Sequence, residues 1–115
     1  MNRGTPWGWS DSEEVLIPGV MTFYGTPSHG GVFVKPEANA KIPEDIRDAA
    51  VYGGGNDGWY EEDCEWVLPH LWFWKELQIA NPTEATQDRL YTCLRICSQY
   101  YPHVYEKYFK EMQKI

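Results

Sequence analysis

Gly58-Trp59-Tyr60-Glu61-Glu62-Asp63-Cys64-Glu65-Trp66 is the stretch on which the reading of the whole chain turns. Four carboxylates fall within five positions, between aromatic residues and beside a cysteine. A glycine run, Gly53-Gly54-Gly55, leads in, and an apolar run leads out. From Trp59 to Leu77 the spacing is helical: Tyr60, Cys64, Val67, Leu68, Leu71 and Trp74 fall on one face. Pro69 is the defect in that pattern. In a helix interior it removes a donor and clashes with the preceding turn, at a cost of roughly 3 kcal/mol. The spacing therefore predicts a kink, or two pieces meeting near Leu68.

On the N-terminal side the chain reads as β structure. Val15-Leu16-Ile17 and Val20-Met21-Thr22-Phe23-Tyr24 are β-type runs split by Pro18-Gly19, and Val32-Phe33-Val34 is a third. Gly25-Thr26-Pro27-Ser28-His29-Gly30-Gly31 between the last two demands a turn. Before them, Thr5-Pro6-Trp7-Gly8-Trp9 reads as an ordered arm whose two indoles pack on the body. Pro43 to Ala50 is a short helix candidate opened by proline, with Glu44 and Asp45 at its positive end. Tyr52 to Gly58 is a glycine-rich loop.

On the C-terminal side, Asn81-Pro82-Thr83-Glu84 has the form of a helix start, with Leu90, Cys93, Leu94, Cys97 and Tyr101 as the buried stripe. Pro102 opens a last helix with Val104, Tyr108, Met112 and Ile115 inward. The fold class is α+β. A short N-terminal antiparallel β-meander of two to three strands packs against three to four C-terminal helices, in a single domain over residues 1–115.

Composition narrows the function classes. The formal charge is −7. Residues 1–65 hold twelve acids against four bases, and residues 66–115 hold five against six. With no basic stripe, direct binding to nucleic acid is not expected. An acidic surface can instead meet a basic protein surface, or serve only solubility. No signal peptide or membrane-length apolar run is visible. Three cysteines cannot all pair within one chain, which fits a reducing, cytoplasmic setting.

Two segments could carry chemistry. On a helix, Glu61 and Glu65 would share a face, and such close acids raise one another's proton affinity. Acids at a helix start also have a plainer reason, the macrodipole, which covers Glu61, Glu62 and Asp63 better than Glu65. The second segment is the Ser28-His29-Gly30-Gly31 tip. Its glycines allow close backbone approach to a ligand, and its plainer reading is a hairpin turn with a surface histidine. A nucleophile-base pair of Cys64 with His29, helped by an acid such as Glu62, needs hydrogen-bond contact. Cys64 equally suits a buried apolar stripe. Metal-ligand spacing is absent: Cys93 and Cys97 stand alone, the three histidines are scattered, and no EF-hand loop exists. No phosphate-binding or dinucleotide fingerprint occurs either, so neither metal nor cofactor is expected.

Thr5-Pro6-Trp7-Gly8, Thr26-Pro27-Ser28-His29-Gly30-Gly31 and the central stretch, in that order, resemble an uncharacterised family of small proteins from phages, plasmids and bacterial genomes. Tyr100-Tyr101-Pro102 is similar to a short aromatic-proline element that follows them. The resemblance implies a mobile-element origin, the cytoplasm of a host bacterium, and no established activity. It also marks His29, Glu61, Glu62, Asp63 and Glu65 as the place to look. Pro69 departs from the family pattern.

The expected function is a non-enzymatic binding or inhibitor protein, a counter-defence factor that occludes a basic host protein surface. The expected site is Ser28, His29, Gly30, Trp59, Glu61, Glu62, Asp63 and Glu65. One alternative is a protein that sequesters a small nucleotide-like ligand. The other is a small hydrolase using His29 with Cys64 or an acid such as Glu62. A purely structural reading also stands, in which the turn histidine bonds the acids and no cleft forms.

Overall fold

The computed structural model describes residues 3–114. The chain opens with a two-stranded antiparallel ribbon, β1 (Gly4–Thr5) and β2 (Gly8–Trp9). A four-stranded sheet follows, in the order β3 (Ser12–Ile17), β4 (Met21–Gly25), β5 (Gly30–Val34) and β6 (Trp59–Glu61), all antiparallel. Two short helices, α1 (Pro36–Asn39) and α2 (Glu44–Ala49), lie between β5 and β6. After β6 come α3 (Val67–Trp72), α4 (Trp74–Ala80), α5 (Gln87–Tyr100) and α6 (Pro102–Val104). The last turns run on as a π-helical segment, Tyr105–Phe109, and a 3-10 segment, Lys110–Lys114. This is the α+β class, with a β-meander leading and helices following. Met1, Asn2 and the inward placement expected of Ile115 lie outside the described residues.

The inner face of the sheet carries Leu16, Met21, Val32, Val34 and Tyr60 into a core shared with Leu68, Leu77, Leu94 and Cys97 of the helices. The outer face carries Tyr24, Phe33 and Trp59, covered by the N-terminal ribbon. The Arg3 guanidinium sits 4.6 Å over the Phe33 ring, and Trp7 meets Trp59 edge-on at 5.8 Å. Of the two indoles expected to pack, only Trp7 does so; Trp9 is 70% exposed. Behind the sheet, the buried Tyr60 hydroxyl donates to Asn39 Oδ1 at 2.7 Å, and Asn39 Nδ2 donates to the Gly55 carbonyl at 2.8 Å. These bonds anchor the glycine-rich loop to α1.

Several boundaries differ from the sequence expectation. Trp59-Tyr60-Glu61 is a strand, not the start of a helix, and α3 begins only at Val67. The helical spacing of the apolar residues arises because a strand, a turn and a helix each send side chains into one core. Pro69 causes no kink, because it is the third residue of α3, where a backbone donor has no partner within the helix. The break comes at Phe73, whose backbone leaves the helical region (φ −100°, ψ 25°). Asn81-Pro82-Thr83-Glu84 forms a turn, closed by the Glu84 amide on the Asn81 carbonyl at 3.0 Å. The true cap of α5 is Thr86, whose hydroxyl accepts from the Arg89 amide at 3.1 Å.

Two ties secure the helices. Asp45 of α2 accepts from Lys107 Nζ at 3.0 Å and from the Tyr108 hydroxyl at 2.8 Å. His70 of α3 is 2% exposed and contacts Glu84 Oε2 at 2.9 Å through Nε2 and the Trp66 carbonyl at 3.1 Å through Nδ1. The His70 hydrogen bond holds the Glu84 carboxyl below the usual carboxylate range, against the opposing effect of burial.

Two outcomes follow for stability. Gly58 sits at φ +91°, and an added Cβ would meet the Phe33 ring at 3.1 Å as well as the Val34 carbonyl. Gly58→Ala should cost about 2 kcal/mol or more in urea denaturation; an unchanged midpoint would contradict the β5–β6 geometry. Glu84, with its depressed folded value, stabilises the fold above the unfolded carboxylate pKa of about 4.3 and loses that contribution as pH falls through the folded value. The stability gap between wild type and Glu84→Gln should therefore narrow as pH drops past about 4. A gap independent of pH contradicts the tie.

Candidate functional site

The register of β5 with β6 builds the site. Gly31 pairs with Glu61, Val32 with Tyr60 and Phe33 with Trp59. One step beyond the strands, the Glu62 amide donates to the Gly30 carbonyl at 3.1 Å. Continued one residue further, the same register sets His29 opposite Asp63. The hairpin tip and the acidic turn thus meet. One ligand atom from each of His29, Glu61 and Asp63 lies within 4.8 Å of the other two.

The tip is held by Thr26. Its hydroxyl donates to the His29 carbonyl at 2.6 Å and accepts from the His29 amide at 3.0 Å. The acidic turn is held by its own carboxylates. Glu61 Oε1 accepts from the Cys64 and Glu65 amides at 2.7 and 3.0 Å, and Oε2 accepts from the Asp63 amide at 2.8 Å. Glu65, with 0% exposure, returns the contact. Its Oε1 accepts from the Glu61 and Gly53 amides at 3.1 and 2.8 Å, and its Oε2 from the Tyr52 amide at 2.7 Å. Two buried carboxylates are therefore solvated by backbone donors in place of water, which is how a buried charge is tolerated. Glu65 also pins the glycine-rich loop to the turn.

Around this turn opens a cleft of about 660 Å³. Its acids are Glu61, Asp63 and Glu65; Trp7 and His29 border it from the β side. Ala49, Val51 and Tyr52 border it from the glycine-loop side, and Tyr100 and Tyr101 from the end of α5. Tyr52 and Tyr100 are 81% and 55% exposed. Among the described residues no lysine or arginine lines the cleft. The Tyr101 phenol is pushed up, first by burial and then by Glu65. The Cys64 thiol, half-buried in the same cleft, is pushed up by burial and then by Glu61, Asp63 and Glu65.

A family model, the domain of unknown function DUF7007, matches residues 1–114. The chain belongs to the DUF7007 family. No curated protein and no solved structure matches it. Membership in a family without an assigned function agrees with the resemblance drawn from the motifs.

Within this DUF7007 domain the other expected site residues fall elsewhere. Trp59 is buried beneath Trp7, against Tyr24 and Phe33. Gly30 is buried as the backbone joint between tip and turn, and Ser28 is exposed outside the cleft lining. Glu62 faces away, into a smaller pocket of about 310 Å³ with Glu14, Trp66, His70, Glu84 and Arg89. The aromatic walls were missed from the sequence as site residues. Trp7 and Tyr100-Tyr101 do lie in motifs that carry the family resemblance, whereas Tyr52 has no sequence signal. Among the described residues no helix is long and apolar enough to cross a membrane.

The two kinds of acid in the turn can be separated by mutation. Glu65→Ala strips the acceptor from three amides and should cost about 3 kcal/mol or more. Asp63→Asn, at an exposed carboxylate, should stay within about 0.5 kcal/mol of wild type. Equal losses in chemical denaturation would contradict the division into holding and presenting groups.

Proposed function

We propose that the protein is a non-enzymatic binding protein, and that its cleft captures a positively charged group on a partner protein. The observation that carries this reading is the convergence of three carboxylates with aromatic walls in one open cleft that, among the described residues, no lysine or arginine lines. Carboxylates at the base attract a lysine or arginine head group, and a recessed acidic site focuses the field that steers it. Tyr52, Tyr100 and Trp7 offer ring faces for the cation and for the chain that bears it. Exposed acids elsewhere in the first half, such as Glu13, Glu14 and Asp48, extend the same sign over the surface. The mobile-element setting implied by the motifs would make this occlusion of a basic host surface, a counter-defence role.

A nucleotide-like ligand is the weaker reading, because phosphate would face three carboxylates. The hydrolase reading has His29 and Cys64 in one cleft in its favour. Against it, burial and then the neighbouring carboxylates push the thiol up, away from the nucleophilic thiolate.

A lysine- or arginine-rich peptide provides the probe, with EDTA present. Binding should weaken steeply with salt, and fall about tenfold or more in Asp63→Lys and in Tyr100→Ala. Binding that ignores salt and both substitutions, or no binding at all, contradicts the reading.

A further inference from the structure

We propose that His29, Glu61 and Asp63 form a binding site for a divalent transition-metal ion of the zinc class. The inference rests on the cleft already described, but not on a protein partner.

The donors come from two separate segments, the β4–β5 tip and the turn after β6, and the β5–β6 register brings them together. Their ligand atoms lie within 4.8 Å of one another. Around a zinc ion with bonds of about 2.0–2.2 Å, tetrahedral donors stand about 3.4 Å apart. Closing the difference takes side-chain motion alone. His29 and Asp63 are exposed and can supply it, while Glu61 is 5% exposed and fixed.

Each donor is also free to bind. Among the described residues, neither the His29 ring nor the Asp63 carboxylate makes a hydrogen bond or an ion pair. Glu61 Oε2 takes one amide only, at 2.8 Å, and keeps a lone pair. Its companion Oε1 takes two amides, at 2.7 and 3.0 Å, which orients the carboxylate as an outer shell orients a metal ligand. The Trp7 ring, 6.3 Å from the imidazole between centroids, limits where His29 can swing.

The donor set selects the ion. An imidazole with two carboxylates suits zinc and its neighbours better than calcium or magnesium, which prefer oxygen alone. Two carboxylate charges balance a dication. Three protein ligands leave a fourth position facing the aromatic cleft, the arrangement of zinc sites that accept an outside ligand. Such an ion would neutralise the Glu61 and Asp63 charges at the base of the cleft and occupy their free oxygens, so zinc and a cationic peptide should compete.

Calorimetric titration of the EDTA-stripped protein with zinc chloride in a non-coordinating buffer tests the site. One equivalent should bind, and His29→Ala and Asp63→Asn should each weaken it about tenfold or more with circular dichroism unchanged. Cobalt(II) should give visible absorption bands of a four- or five-coordinate ion in wild type and lose them in His29→Ala. No saturable zinc binding, or binding that both variants retain, overturns the site. Peptide capture in EDTA reports separately: if it persists while zinc fails to bind, only the metal site falls. If zinc binds and the peptide does not, only the proposed partner reading falls.

Discussion

The structure depends on a reciprocal clasp between two carboxylates and the backbone around them. Glu61 accepts from the amide of Glu65, and Glu65 accepts from the amide of Glu61. Each also takes two further amides, so six backbone donors are satisfied by two side chains: three in the turn, two in the glycine-rich loop and one at the end of β6. Unpaired, those donors would cost about 1–3 kcal/mol each where water is excluded. The clasp does three things at once. It ends β6, it ties the glycine-rich loop to the turn, and it leaves Asp63 pointing outward beside His29.

The β5–β6 pairing and the clasp need one another. Without the strand pairing, the turn would have no fixed relation to the hairpin tip. Without the clasp, the chain after Glu61 would have no reason to fold back toward Gly30. Gly30 and Gly31 allow the approach. A Cβ on Gly31 would strike the Trp7 indole and the Tyr60 carbonyl, and one on Gly30 would meet the Tyr24 carbonyl at 2.9 Å. The glycines after His29 therefore serve close packing of strand against strand and arm, and the histidine is carried on that rigid joint.

Much of this was legible in the sequence, and the misses have physical causes. The meander was readable because Pro18-Gly19 and the Gly25 to Gly31 segment are strong breakers between β-branched and aromatic runs. Three-residue β6 was not, because Trp59-Tyr60-Glu61 is too short for alternation to outweigh the helical spacing of the apolar residues beyond it. Glu65 resisted explanation by the helix dipole, and the structure gives the reason: its partners are amides of the turn and the glycine loop, not a helix end. Glu61 and Glu65 were read as members of an acidic patch, whereas Asp63 is the acid that the turn presents outward. A carboxylate that caps backbone and one that faces a ligand look alike in a sequence, since only the fold decides which amides lie within reach. The aromatic walls were hidden for the same reason: Tyr52 and Tyr100 lie far apart along the chain and meet only across the cleft.

The central claim is that carboxylate-to-backbone bonds hold the turn in which Asp63 faces His29. Amide hydrogen exchange followed by NMR tests it most directly, at Asp63, Cys64, Glu65, Tyr52 and Gly53. The account predicts protection at all five, although none lies in a helix or a strand, and loss of that protection at Tyr52 and Gly53 in Glu65→Ala. Exchange at the rate of an open loop in the wild-type protein would contradict it.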